Sequence, residues 1–90
     1  MTIEDVRPII VENMSDNFDS HDFIKELIWQ YPAVYGKLLI QYDDVRVTHS
    51  QIGKFLLNHA SALEIEKIGE DGSDDIFGHA TPCAKWKKLF

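Results

Sequence analysis

Residues 45–63, VRVTHSQIGKFLLNHASAL, constrain the fold most strongly, because a helix start signal leads directly into an amphipathic pattern. Thr48 and Gln51 have the spacing of a capping box, in which each side chain satisfies a backbone N–H group at the start of a helix. Val47 and Ile52 stand where a hydrophobic staple forms around such a cap. The segment therefore predicts a helix over residues 48–63.

This predicted helix has two chemically different faces when successive residues are placed about 100° apart. One face is an apolar stripe of Ile52, Phe55, Leu56, His59 and Leu63. The opposite face carries Ser50, Gln51, Lys54, Leu57, Asn58 and Ser61. We expect the stripe to pack on a core, with His59 as a core histidine.

Two further helices are predicted before this one. Apolar residues recur at helical spacing after residue 20, at Phe23, Ile24, Leu27, Ile28 and Tyr31. Asp19, Ser20 or Asp22 can serve as the N-cap of that helix. Pro32 favours the first turn of a second helix, which ends near Tyr42. Its apolar positions are Val34, Tyr35, Leu38, Leu39 and Tyr42.

The two ends of the chain carry different patterns. Residues 1–19 are expected to form an acidic N-terminal arm whose order the sequence leaves open, with an edge strand at residues 9–11 as one alternative. Pro8, which has no backbone donor, and the turn-like residues 15–20 limit any regular element there. After Leu63, the segments EIEKI and AKWKKLF predict two strands, joined by a loop over residues 69–83.

Three helices followed by two strands, with THSQIGKFLLNHASAL before IEKIGE and KWKKL, resemble the winged helix-turn-helix superfamily. The resemblance covers residues 20–90 and implies a mainly helical α+β fold, a three-helix winged-helix-like domain with a C-terminal β-hairpin. It also implies that the third helix enters the DNA major groove. Carried over, it places Ser50, Gln51, Lys54, Asn58 and Ser61 towards base edges, and Lys85, Lys87 and Lys88 near phosphates.

Charge is distributed in blocks along the 90 residues, although the net charge is −6. Residues 1–22 and 64–75 are acidic, whereas residues 45–63 contain no carboxylate and carry Arg46 and Lys54. One domain of this length is expected in the cytoplasm, because Cys83 is a single cysteine and no apolar run approaches the roughly 18 residues of a membrane span. Local positive surface therefore coexists with an acidic chain.

The polar face of the third helix has side chains suited to nucleic acid. Asn and Gln can form paired hydrogen bonds with adenine, and Lys can reach guanine acceptors. DNA is therefore the expected partner, with a regulator or accessory subunit as the expected role. The predicted contact residues are Arg46, Ser50, Gln51, Lys54, Asn58, Ser61, Lys85, Lys87 and Lys88.

The acidic segment of residues 70–77 favours an alternative function. Carboxylates at a wing tip would repel phosphate, where DNA-binding wings usually present cations. An adaptor or inhibitor that binds a basic protein partner, and not DNA, would use this segment instead, with an apolar anchor flanked by charge. Its residues would be Glu70, Asp71, Asp74, Asp75, Ile76 and Phe77. For Ile76 and Phe77, core packing under a long loop is the other interpretation.

Enzyme, cofactor and metal signatures are not found in the sequence. His79 and Cys83 are four residues apart, but a second close pair of zinc ligands is missing. The acidic run at residues 70–75 lacks the residue alternation of an EF-hand loop. No glycine-rich phosphate loop or Ser–His–Asp spacing is present. We therefore expect no catalytic residue, no cofactor, no metal, no small-molecule substrate and no membrane contact.

Overall fold

Five helices and three strands make up the chain, and the structure, a computed structural model, describes every residue from Met1 to Phe90. The predicted mainly helical α+β class is confirmed. No helix is long and apolar enough to cross a membrane. In chain order the elements are α1 (Ile3–Asn13), β1 (Asn17–Asp19), α2 (Ser20–Gln30), α3 (Pro32–Tyr42), α4 (Val45–Asn58), α5 (Ala60–Leu63), β2 (Ile65–Asp74) and β3 (Ala80–Lys88).

The three strands form an antiparallel sheet in the order β1-β3-β2, so the last strand of the chain lies in the centre. The predicted C-terminal hairpin is confirmed, but its strands are longer than expected. The loop predicted over residues 69–83 was wrong, because only residues 75–79 connect the strands. Gly72 and Pro82 pair with each other inside the ladder. Proline is tolerated there because β3 extends beyond β1 and has an open edge.

A single hydrophobic core lies between the helices and the sheet, and Trp86 of β3 is fully buried in it. Trp86 pairs with Phe18 on one side and Lys67 on the other, so it occupies the middle of the sheet. The indole Nε1–H donates to Ser20 Oγ at 3.0 Å. Trp86 therefore anchors the hairpin onto the helices. The other large, fully buried apolar side chains include Val6, Ile9, Ile10, Phe23, Leu27, Ile52, Leu56 and Leu63.

The N-terminal segment is a helix, so the edge strand considered for residues 9–11 was wrong. Residues 1–19 also belong to the core instead of forming a separate arm, since Val6, Ile9 and Ile10 are buried. Burying each aliphatic side chain contributes about 1.5–3 kcal/mol, whereas a proline inside a helix costs about 3 kcal/mol. Three buried side chains therefore outweigh Pro8, and Thr2 closes the first turn in a capping box with Asp5.

The two middle helices begin where the sequence predicts. Asp19 is the N-cap of α2 and forms a capping box with Asp22. Pro32 stands at the first turn of α3, which ends at Tyr42. Asp43 then adopts a left-handed conformation with φ of 52°, which turns the chain sharply into α4.

The start of α4 lies one turn earlier than predicted, so the capping box of Thr48 and Gln51 and the associated staple were wrong. The N-cap is Asp44, whose carboxylate accepts the Val47 N–H at 2.9 Å. Thr48 is fully buried within the helix, and its hydroxyl donates to the Asp44 carbonyl at 2.7 Å. An ionised aspartate is a strong cap, and burial of Thr48 beside Ile52 favours the longer helix.

The apolar stripe of α4 packs inward as predicted, but the helix does not continue unbroken to residue 63. It ends at Asn58, and α5 forms a separate short turn that Glu64 terminates in a left-handed conformation with φ of 56°. Ile52 and Leu56 are buried, but His59 is only half-buried, so its expected place in the core was wrong. Its ring lies against Phe55 with centroids 4.2 Å apart. The stripe therefore fixes which face of α4 remains exposed.

Asp44→Ala should lower the free energy of unfolding by about 1 kcal/mol, because it removes the N-cap acceptor of α4. Asp16→Ala is the matched control, since the Asp16 side chain is exposed. Urea denaturation measures both. Equal loss of stability in the two variants would contradict the assignment of Asp44 as the cap.

Candidate nucleic-acid interface

The exposed face of α4 forms a polar ridge, which we call the α4 ridge. Its exposed members, continued onto α5, are Arg46, Ser50, Lys54, Asn58 and Ser61. A groove of about 340 Å³ separates α4 from α3, and another of about 370 Å³ separates α4 from the hairpin. Lys54 lines both grooves, so it stands at the crest between them.

The two cations of the α4 ridge are free of ion pairs. The three salt bridges of the protein are Arg7–Glu64, Lys67–Glu70 and Lys85–Asp71. Arg46 and Lys54 take part in none of them. Since no carboxylate occurs between residues 45 and 63, the ridge combines positive charge with neutral hydrogen-bonding groups.

Gln51 differs from the other predicted contacts on α4. It is half-buried and lines the groove towards α3 together with Gln41 and Tyr42. Gln51 therefore flanks the crest on one side, while Ser50 faces the hairpin groove on the other.

The predicted lysines of β3 do not join the α4 ridge. Lys85 and Lys87 alternate with the buried Trp86, so they lie on the opposite face of the sheet from the core. Lys85 contacts Asp71 at 3.1 Å, and Lys88 Nζ donates to the Met14 carbonyl. These lysines therefore lie away from α4, and Lys85 and Lys88 already form polar contacts with other residues of the chain.

The acidic residues of the hairpin lie in two different places, on β2 and in the turn that follows it. Glu70 and Asp71 lie on β2, where each forms a salt bridge with a lysine. The backbone hydrogen bond from His79, then that from Phe77, holds the pKa of Asp75 below its ordinary value. The Asp75 carboxylate therefore caps its own turn by accepting hydrogen bonds from the backbone of Phe77 and His79.

Only part of the predicted apolar anchor is exposed. Ile76 is half-buried and packs against the core, which supports core packing for that residue. Phe77 is 61% exposed and Asp74 is exposed, so these two remain open to a partner.

The turn of the hairpin lies beside the N-terminus of α4. A surface groove of about 640 Å³ brings Asp75, Phe77 and His79 next to Arg46 and His49. Along a helix that rises 1.5 Å per residue, Lys54 lies about 12 Å from Arg46. The acidic turn is therefore closest to the N-terminal end of the α4 ridge.

His49 forms a polar contact beneath the ridge, with Nε2 2.7 Å from the Tyr35 hydroxyl. Burial lowers the pKa of His49, and the charge of His21 lowers it further, against an opposing effect of Asp75. Burial also raises the pKa of Tyr35. The favoured state is thus a neutral imidazole that accepts a hydrogen bond from the Tyr35 hydroxyl.

Two features escaped prediction from the sequence. Trp29 is 81% exposed on α2. Asp19, His21 and Cys83 converge at the edge of β3, where one ligand atom from each lies within 4.8 Å of the other two. Their separation along the chain conceals this cluster, because only the pairing of β1 with β3 brings them together.

Comparisons with models of known protein families, with curated protein sequences and with solved structures gave no match to this chain.

Stability should fall as the pH decreases through about 6.5, and His49→Gln should reduce that fall. The pKa of His49 is lowered on folding, so the unfolded chain binds more protons in this range. The contribution of His49 to the free energy of unfolding is complete at pH values above 6.5, the pKa of histidine in the unfolded chain. It is lost as the pH falls towards the lower pKa of His49 in the folded chain. The pKa values of Asp71 and Asp75 are also lowered, so the stability that these carboxylates contribute is lost only in stronger acid.

Urea denaturation at about pH 5 and about pH 7.5 measures this dependence. His79→Gln, which removes an exposed histidine, is the matched control for the loss of one imidazole. An identical pH profile for wild type and His49→Gln would contradict the assignment.

Proposed function

We propose that the chain is a small nucleic-acid-binding module, a regulator or accessory subunit, that contacts duplex DNA through the α4 ridge. The observation that carries the proposal is the position of Lys54 at the crest of a carboxylate-free helix between two grooves. A convex helix of this kind fits the major groove of B-DNA, which is about 12 Å wide.

The side chains along the crest supply the chemistry for such a contact. Lys54 can donate to guanine O6 and N7, and Asn58 can donate to and accept from adenine. Arg46 lies two turns before Lys54, where it can reach a phosphate, and Ser50 is short enough to allow close approach of the backbone. Because Arg46 and Lys54 form no salt bridge, binding would not break an existing ion pair.

The order of elements supports the winged-helix resemblance. Helices α2, α3 and α4 follow one another with short connections, and the β2–β3 hairpin comes directly after α5. The exposed helix is thus the third of that series, which is the helix that the resemblance assigns to the major groove. In this proposal α1 is an additional core helix outside the part of the chain that the resemblance covers.

The hairpin has a limited role in the proposed complex. Its acidic turn would repel phosphates, and Lys85 is paired with Asp71 on the far face of the sheet. Contact therefore relies on about two cations of the ridge, which gives a shallow dependence of log K on log salt, with a slope of about −2. Affinity should be modest and highest at low ionic strength.

Lys54→Glu should abolish binding to a labelled random-sequence duplex at low salt, because it places a carboxylate at the crest. Lys37→Glu on α3 is the matched control, since it makes the same charge change at an exposed lysine outside the α4 ridge. Fluorescence anisotropy measures affinity, and thermal unfolding checks that both variants fold. The control should keep most of the wild-type affinity.

Equal affinity of Lys54→Glu and wild type would exclude α4 as the contact surface. No duplex binding by wild-type protein at low salt would favour the second candidate function, an acidic adaptor that binds a basic protein. The exposed Phe77 beside Asp74 supports that alternative, since an aromatic side chain flanked by carboxylates can anchor in a partner.

A further inference from the structure

Three side chains with metal-ligand chemistry meet beside the open edge of β3. Asp19 ends β1, His21 lies in the first turn of α2, and Cys83 belongs to β3. One ligand atom from each of the three side chains lies within 4.8 Å of the other two. We propose that Asp19, His21 and Cys83 form a binding site for Zn²⁺ that ties the β1–α2 junction to the hairpin.

The spacing of the three side chains is close to that of a bound ion. Zinc bonds of about 2.0–2.3 Å in tetrahedral geometry separate ligand atoms by roughly 3.3–3.8 Å. The donor atoms therefore need to approach one another by about 1 Å, which side-chain rotation supplies. The pairing of Asp19 with Lys85 fixes β1 against β3, so the backbone already holds the ligands in place.

Ser73 marks the space between the two softer ligands. Its hydroxyl lies 2.7 Å from His21 Nδ1 and 3.5 Å from Cys83 Sγ. An ion bound to both atoms would displace this hydroxyl by rotation of the serine side chain. Ser73 is therefore a competitor for the position of the ion and is not needed as a ligand.

Thr81 supplies an outer hydrogen bond of the kind that metal-bound histidines usually make. Its Oγ1 lies 3.2 Å from His21 Nε2. With Nδ1 bound to the ion, Nε2–H donates to Thr81, which fixes both the tautomer and the orientation of the ring. His21 is only 8% exposed, so its ring is held in place before an ion arrives.

The donor set selects the class of metal. A thiolate, an imidazole and a carboxylate suit Zn²⁺, whereas Ca²⁺ and Mg²⁺ prefer oxygen ligands alone. His21 and Cys83 also line the groove between α4 and the hairpin, which gives the ion access and leaves room for a water molecule as fourth ligand. A bound ion would hold this groove at a fixed width.

Cobalt titration of the purified chain tests the site. Co²⁺ replaces Zn²⁺ in tetrahedral sites, and the expected spectrum has visible d–d bands together with a thiolate-to-metal charge-transfer band in the near ultraviolet. Zn²⁺ should then displace Co²⁺ and remove both bands. Zn²⁺ should also raise the thermal unfolding temperature, because it binds the folded chain.

Three variants should weaken Zn²⁺ binding by at least about tenfold. Cys83→Ser should abolish the charge-transfer band, and His21→Gln should remove the imidazole ligand. Asp19→Asn keeps an N-cap acceptor for α2, so it tests the ligand without removing the cap. Thermal unfolding of the metal-free proteins verifies that each variant folds. If His21→Gln does not fold, Cys83→Ser alone tests the site.

Two further variants have the opposite expectation. Ser73→Ala removes the competing hydroxyl and should bind Zn²⁺ at least as tightly as wild type. His79→Gln tests a surface pair of His79 and Cys83 and should leave affinity unchanged. A cobalt spectrum without the thiolate band, equal affinity of Cys83→Ser and wild type, or loss of binding in His79→Gln would overturn the proposed site.

Discussion

The burial of Trp86 against the first turn of α2 joins the sheet to the helices. The indole N–H donates to Ser20 Oγ at 3.0 Å, and that hydroxyl contacts the Ala84 carbonyl at 3.4 Å. Ser20 thereby satisfies a buried donor that would otherwise be costly. Because Trp86 lies on the central strand, between Phe18 and Lys67 of the two flanking strands, this contact sets the position of the hairpin relative to the helices. The groove between the hairpin and α4 depends on it.

The distribution of charge decides how an acidic chain could bind an anion. Within the hairpin, Glu70 and Asp71 are neutralised by lysines, and Asp75 is engaged in its own turn. Charges separated by more than about 10 Å are largely screened at 0.1 M ionic strength. Lys54 lies about 12 Å along α4 from Arg46, which lines the groove beside the hairpin turn. Because distant charges are screened, the acidic parts of the chain oppose binding less than the net charge of −6 suggests.

Periodicity and caps predicted α2, α3 and the hairpin because their signals are local. The same reasoning misplaced the start of α4, since the aspartate at position 44 competes with Thr48 and burial of the threonine decides between them. The N-terminal helix was not predicted, because Pro8 disfavours a helix and the sequence does not show that Val6, Ile9 and Ile10 are buried in the core. The exposed face of α4 followed from its apolar stripe, whereas the separation of Lys85 from that face required the sheet register. The cluster around His21 likewise depends on pairing between distant segments.

The central claim is that α4, and not the hairpin, forms the contact surface. The most direct test is an amide chemical-shift titration of the labelled protein with a random-sequence duplex at low salt. We predict progressive shifts along the α4 ridge, centred on Lys54, with small changes around Phe77 and around Trp29. Shifts confined to the hairpin turn or to α2, or no shifts at all, would contradict this account.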